Sequence, residues 1–343
     1  MNFKDREQKI KKKLSTDEAI IISGKEDLYY LSGFIGSSGL IVISDKKSIL
    51  MVDGRYFEKA QKDAVADEIV LMTDFIENIK DIFERLKVKR CYFDGDWMTF
   101  NTYVKMSSEL GSIDLKSGAE NWLKDLRAVK DDDEIEVITQ GVRLSKNAFN
   151  DFINQVDIWQ MTERACVNEL EYRLKKCGEN ISFDTLVLAG ENSSLPHGSP
   201  SDRIIQKNDS VIFDFGIKYK NYCTDNTRTV ILDNPIMERY LKIVKKAFDA
   251  GLSQIFPNNE IKKADIAVRD VLEKEGVIKH FLHSSGHGIG LSVHEYPTLS
   301  FRSEGFFEKG MIITLEPGLY FEGLGGVRFE EMILVTKNSC EIL

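Results

Sequence analysis

The stretch VIFDFGIKYKNYCTDNTRTV, residues 211–230, governs the reading of the whole chain. Val211-Ile212-Phe213 is an apolar run of the kind that fills a buried strand, and Tyr222 through Leu232 reads as a second strand. Between them Ile217–Asn221 supplies the turn. A hairpin symmetric about Tyr219–Lys220 puts Asp214 directly opposite Asp225, with Cβ atoms about 4.5–5.5 Å apart. Two like charges that close, among apolar neighbours, are costly unless a cation lies between them. The alternative is an asymmetric turn with both acids solvated.

The same device recurs downstream. Ile312–Leu315 is strand-like and ends in Glu316-Pro317-Gly318, and a glycine-rich stretch follows at Gly323, Gly325 and Gly326. Val327–Val335 is a further apolar run, and it carries Glu330. A hairpin centred on Gly323 sets Glu316 opposite Glu330; the alternative is one acid at a strand end and one on an exposed edge. All 5 histidines lie in the second half, at His197, His280, His283, His287 and His294. Of these, His287 sits in Gly286-His287-Gly288-Ile289-Gly290, read as a flexible loop whose missing side chains allow close approach.

Two aspartates, two glutamates and one imidazole suit Mn²⁺, Co²⁺, Fe²⁺ or Zn²⁺, and the lack of thiolates disfavours a structural zinc site. Four carboxylates carry four negative charges, which two divalent ions neutralise; a single ion leaves buried charge uncompensated. Two ions a few ångströms apart would bind a water between them and lower its pKa. That is hydrolase chemistry.

Around this centre the 343 residues suffice for two domains. With 46 basic and 55 acidic residues the formal charge is −9, which argues against a protein that binds nucleic acid through bulk positive charge. No apolar run of about 18 residues is present, so no transmembrane helix is expected. The start, MNFKDREQKIKKKLS, lacks the apolar core of a secretory signal. The 5 scattered cysteines, without a CxxC, read as reduced thiols of a cytoplasmic protein.

The first third alternates strand-like runs (Ala19–Ile22, Leu40–Ser44, Ser48–Val52, Cys91–Phe93) with helical spacing at Tyr56–Val65 and Ile76–Leu86, the mark of a compact α/β domain. The pattern dissolves around Gly111–Gly118, and the expected division is residues 1–122 and 123–343. Four acids at Asp131–Glu134 precede a long amphipathic series, so a helix starts there. A second helix opens with Thr162 as N-cap and closes before Gly178. Strand texture follows from Phe183, interrupted by helices near Glu238–Leu252 and Lys262–Lys274.

Several motifs carry a resemblance over nearly the whole chain. They are YYLSGFIGSSG (residues 29–39), DGRY (53–56), DLRAVKDDDEIEVI (125–138), SLPHGSP (194–200), DFG with YCTDNTRT, HSSGHGIGLSVHEYP (283–297), TLEPGLY (314–320) and GGVRFEEM (325–332). Together they resemble the Xaa-Pro peptidases, aminopeptidase P and prolidase, of the pita-bread metallopeptidase superfamily. The resemblance implies an α/β (α+β) chain in which a creatinase-like N-terminal α/β domain precedes a pita-bread catalytic domain. It implies that Asp214, Asp225, His287, Glu316 and Glu330 hold two divalent metal ions per subunit, Mn²⁺ foremost, with Co²⁺ or Zn²⁺ also accommodated. Asp225 and Glu330 are expected to contact both ions. His197, His283 and His294 match substrate-side histidines, and Glu316 matches the general base. The substrates implied are proline-containing peptides and the assembly a homodimer. Phe329-Glu330-Glu331 stands where the family usually reads Ile-Glu-Asp; the ligand is kept.

Some residues carry two readings. Arg328 and Arg228 either brace the ligand carboxylates or form surface ion pairs, and Tyr222 either lines the site or packs. His280, Trp97, Trp122 and Trp159 read as structural. In some prolidases an arginine just after HE-x-P holds the dipeptide carboxylate; Thr298 occupies that place here, and Arg302 is the nearest arginine in sequence. This favours an Xaa-Pro aminopeptidase over a dipeptidase. Methionine aminopeptidase shares the catalytic fold without the leader motifs. Creatinase-like chemistry does without metal, and a protein-binding module of this fold loses ligands that are intact here.

Overall fold

The computed structural model describes every residue from Met1 to Leu343, and they group into two units, Met1–Arg127 and Ala128–Leu343. Unit one is built on LIVIS and SILMV, two runs buried along their whole length. Its elements in order are α1 (Phe3–Lys11), β1 (Glu18–Ile22), α2 (Lys25–Ser32), β2 (Leu40–Ser44), β3 (Ser48–Val52), α3 (Phe57–Asp63), β4 (Glu68–Leu71), α4 (Phe75–Leu86), β5 (Arg90–Phe93), α5 (Phe100–Glu109), β6 (Asp114–Ser117) and α6 (Ala119–Ala128). The six strands form one mixed sheet in the order β4-β3-β2-β1-β5-β6. A strand covered on both faces has no reason to alternate, hence the continuous apolar runs of β2 and β3. Helix α4 is amphipathic, starts on an Asp74 cap that accepts from the Ile76 and Glu77 amides, and buries Ile76, Ile79, Ile82 and Phe83 against the sheet. The small, polar stretch around Gly111–Gly118 carries β6 at the sheet edge, and α6 runs across residue 122.

Unit two contains two arrangements of similar design. In the first, α7 (Asp132–Gln155) begins with a capping box formed by Asp131 and Glu134, and α8 (Glu163–Cys177) begins on Thr162. These helices cover β7 (Asn180–Ile181), β8 (Leu186–Ala189), β9 (Ser210–Phe215), β10 (Ile217–Tyr219), β11 (Tyr222–Cys223) and β12 (Asn226–Ile231). Phe149 and Phe152 of α7 pack on Phe213 and Phe215 of β9 in that core. In the second, α9 (Pro235–Leu252) and α10 (Lys262–Lys274) cover β13 (Gly286–Gly288), β14 (Glu295–Leu299), β15 (Ile312–Leu315), β16 (Gly318–Phe321), β17 (Gly325–Arg328), β18 (Glu331–Val335) and β19 (Cys340–Ile342). Val244, Phe248 and Val268 meet Ile313, Leu315 and Val327 there. Each arrangement is thus a helix pair over two small sheets joined by one hairpin that carries two acids. No helix is long and apolar enough to cross a membrane.

Two expectations are corrected. The first hairpin turns on two residues, Lys220 (φ 47°) and Asn221 (φ 70°), both left-handed, so Tyr219 pairs with Tyr222 and Lys218 with Cys223. The ladder is displaced by one residue from a turn centred on Tyr219–Lys220. Asp214 therefore pairs with Thr227, and Asp225 lies on the same face at the diagonal position instead of directly opposite. The second correction concerns His287, which lies in β13 and not in a flexible loop. It pairs with Thr298, and the register shifts just after it. The glycine beside it is required by close packing, since a Cβ on Gly288 would overlap the Tyr296 carbonyl.

Candidate metal centre

The five side chains expected at the centre come from five places in unit two. Asp214 is on β9, Asp225 follows β11, His287 is on β13, Glu316 lies between β15 and β16, and Glu330 lies between β17 and β18. The ladders on either side of the last two share one register, Leu315 with Glu331 and Gly318 with Arg328, so Glu316 and Glu330 face each other across the hairpin. Their strands stop on both sides of the pair, freeing the carboxylates to turn inward.

The groups converge. His287 Nε2 lies 3.6 Å from Asp225 Oδ2 and 3.5 Å from Glu316 Oε1. Asp225, His287 and Glu330 each bring a ligand atom within 4.8 Å of the others. His287 Nδ1 is 2.9 Å from the Gly288 carbonyl, which makes it the N–H donor and leaves Nε2 with its lone pair toward the acids. Asp214 Oδ2 accepts from Arg328 Nη2 at 2.6 Å and Glu330 Oε2 accepts from the Thr227 hydroxyl at 2.8 Å. Their other oxygens, Asp214 Oδ1 and Glu330 Oε1, are buried and have no hydrogen-bond partner. Buried polar atoms are nearly always satisfied. Two orphaned carboxylate oxygens beside an imidazole lone pair therefore mark a place for cations, and the residues fit divalent metal.

Electrostatics point the same way. Burial, and then the charges of Glu330, Asp214 and Glu316, hold the Asp225 carboxyl well above its usual range. Burial raises Glu330 too, aided by Glu316 and Asp214, and it also raises Glu316. Burial pushes His283, His287 and His294 down, favouring the neutral imidazole that binds metal or hydrogen-bonds substrate.

Two of the three histidines read as substrate-side lie beside this cluster. The His294 ring lies edge-on to His287 with centroids 4.4 Å apart. His283 Nε2 is 2.9 Å from the Tyr320 hydroxyl, which accepts from Arg328 Nη1 at 3.0 Å. A continuous path thus runs from His283 through Tyr320 and Arg328 to Asp214. His197 is exposed in the turn after a 3-10 segment at Gly190–Ser194. Arg328 braces a carboxylate of the cluster, whereas Arg228 donates to the Glu330 main-chain carbonyl at 2.7 Å and to Glu331 Oε1 at 2.6 Å, and so holds the backbone and a neighbouring acid instead. Tyr222 packs elsewhere: its buried hydroxyl donates to Glu134 Oε1 at 2.8 Å. His280 packs on Phe321, with Nδ1 3.2 Å from the Tyr320 carbonyl.

Sequence reasoning passed over Tyr320 and Thr227. Tyr320 sits inside TLEPGLY, but its role appears only once the hairpin returns Arg328 to its hydroxyl. Thr227 bridges Glu330 and Arg328 Nε because it pairs with Asp214, a consequence of the corrected register.

The metallopeptidase family M24 matches residues 136–337, and the creatinase/prolidase N-terminal domain matches residues 6–129. The chain is 37% identical over 327 residues to the uncharacterized peptidase YqhT of Bacillus subtilis (strain 168), covering 94% of this chain and 92% of that one. Its fold matches an Xaa-Pro dipeptidase from Bacillus anthracis with TM-score 0.92 and 33% identity, over 100% of this chain and 96% of the other. An X-Pro aminopeptidase from Thermotoga maritima MSB8 matches with TM-score 0.88 and 33% identity, over 97% of each. The pita-bread fold is therefore shared, and the chain belongs to metallopeptidase family M24, a family of hydrolases, with the N-terminal domain of the creatinase and prolidase group.

Proposed function

We propose that the protein is an Xaa-Pro aminopeptidase, cleaving the bond before proline at peptide N-termini, with Asp214, Asp225, His287, Glu316 and Glu330 holding two divalent ions. The observation that carries this reading is the pair of orphaned buried oxygens, Asp214 Oδ1 and Glu330 Oε1, beside the His287 lone pair. Ions bound there supply Lewis acidity to the scissile carbonyl and lower the pKa of the attacking water. Glu316 takes the proton from that water; its raised proton affinity suits it to the task. The Xaa-Pro bond is a tertiary amide whose nitrogen must gain a proton to leave, and Glu316 returns one to it. His294 donates to the developing oxyanion, while His283, whose Nδ1 donates to the Ser284 carbonyl and whose Nε2 accepts from the Tyr320 hydroxyl, is fixed on the substrate side by the Tyr320–Arg328 path. His197 closes the substrate side. The reading carries with it Mn²⁺ as the occupant, a homodimer and a cytoplasmic setting.

The choice of aminopeptidase rests on Thr298. It stands on β14 opposite His287, at the place where some prolidases carry an arginine, and it offers no positive charge to a C-terminal carboxylate. The dipeptidase reading is supported by the likeness to the Bacillus anthracis Xaa-Pro dipeptidase. Turnover of Xaa-Pro against Xaa-Pro-Yaa and longer peptides separates them. An aminopeptidase cleaves the longer peptides with higher kcat/KM, whereas a strict preference for Xaa-Pro establishes the dipeptidase.

A further inference from the structure

The loop from Gly190 to Pro200 follows β8 and carries His197 in an exposed turn. Its first half is anchored. Ser193 Oγ donates to the Gly190 carbonyl at 2.6 Å and accepts the Gly326 N–H at 2.8 Å. Its second half has no regular structure and reaches the centre through the Pro196 carbonyl, 3.5 Å from Arg328 Nη1.

The clamp that closes this loop comes from another element. Glu163, the first residue of α8, is 0% exposed, and its carboxylate forms no ion pair. Oε1 accepts the Ala189 N–H at 2.7 Å; Oε2 accepts the Ser201 N–H at 2.8 Å and the Ser201 hydroxyl at 2.7 Å. Asn192 Nδ2, inside the loop, lies 3.0 Å from Oε2 and 3.2 Å from Oε1. Ala189 and Ser201 are the two feet of the loop. One carboxylate therefore joins both ends and one interior point. These donors and the N-terminal end of α8 stabilise the buried carboxylate. A glutamine would turn an N–H₂ toward backbone N–H donors and break the arrangement.

We propose that Glu163 is a positioning residue for His197: it closes the 190–200 loop so that the turn presents the imidazole to the centre. The proposal rests on the reading of His197 as a substrate-side group.

A double-mutant cycle on kcat for an Xaa-Pro peptide, at equal metal content, tests it. Glu163→Gln should lower kcat about tenfold or more with a smaller change in KM, since ångström-scale misplacement of a catalytic group costs that much. In the His197→Ala background the same change should move kcat by no more than about twofold, because the group it positions is gone. Equal losses in both backgrounds, or a native-background kcat within about twofold of wild type, would overturn the proposal. Hydrogen exchange of amides 189–201 reads the clamp without activity. Glu163→Gln, and Ser201→Ala, which removes one hydroxyl from the loop side, should both speed exchange there; unchanged exchange overturns the clamp. A metal-loaded wild-type protein inactive on every Xaa-Pro peptide would instead overturn the proposed function, and the exchange result would still decide whether Glu163 holds the loop.

Discussion

Burial raises the proton affinity of Asp225, Glu316 and Glu330, and for Asp225 and Glu330 the neighbouring carboxylates raise it further. The sign for stability follows. Each acid has a folded pKa above its unfolded value, so its contribution is present at low pH and is lost as pH rises through the folded value. Without metal, the protein should therefore lose stability as pH is raised, and divalent ions should restore it. Binding must also expel protons. Calorimetric titration with Mn²⁺ in two buffers of different ionisation enthalpy should detect proton release and an affinity that strengthens with pH; pH-independent binding without release would contradict this. Asp225→Asn should lose metal and lower kcat about 10³-fold, equivalent to about 4 kcal/mol of transition-state stabilisation. Arg328→Met should also impair the enzyme, because it leaves Asp214 unpaired and releases the Tyr320 hydroxyl from its donor; normal kcat in that variant would remove the arginine from the account.

Hairpins deliver the acids, so their turns matter as much as the ligands. Asn221 sits at φ 70°, where a β-branched side chain is strained. Asn221→Val should cost about 1–2 kcal/mol in chemical denaturation, and Asn221→Gly should be nearly neutral. Gly216 has a second constraint, for a Cβ there would overlap the Thr224 carbonyl just before Asp225. Gly216→Ala should therefore weaken metal binding, whereas an unchanged affinity would show that Asp225 does not depend on that close approach. The two hairpins also show how far the sequence could be read. Gly323 marks the centre of the second one unambiguously, and the observed register puts Glu316 across from Glu330. The first has no glycine at its turn. Lys220 and Asn221 both adopt a left-handed conformation that their residue types only weakly announce, so the sequence pattern puts the centre one residue early. The helix starts at Asp131 and Thr162 were legible because capping is local chemistry. The Glu163 clamp and the Tyr320–Arg328 path were not, since their partners are distant in sequence and no spacing rule joins them.

At the scale of the molecule, the two units respond to different variables. In unit one, Glu7 Oε2 accepts the Ser48 hydroxyl at 2.9 Å, and Lys11 Nζ lies 3.9 Å from it. Lys11 itself pairs with Asp67 at 2.6 Å. Burial nevertheless pushes the Glu7 carboxyl from 4.5 to about 7. Its raised value means that stability of this unit should decline between pH 4.5 and about 7, and Glu7→Gln should flatten that slope. A slope unchanged by the substitution would show that Glu7 is not its source. Unit two should respond to metal instead, with chelation lowering its melting temperature and reloading restoring it by mass action. The fold class followed from alternating elements and from motifs spread along both units, whereas the nature of the bound ion is not written in the ligand types, which suit several divalent metals. The most direct measurement is anaerobic metal quantification on the purified protein, paired with hydrolysis of an Xaa-Pro peptide series, for wild type and Glu330→Gln. Expected are two divalent ions per chain in wild type, cleavage before proline, and joint loss of both in the variant. A wild-type chain that binds no ion and cleaves no Xaa-Pro peptide after Mn²⁺ or Co²⁺ is supplied would contradict the proposed function.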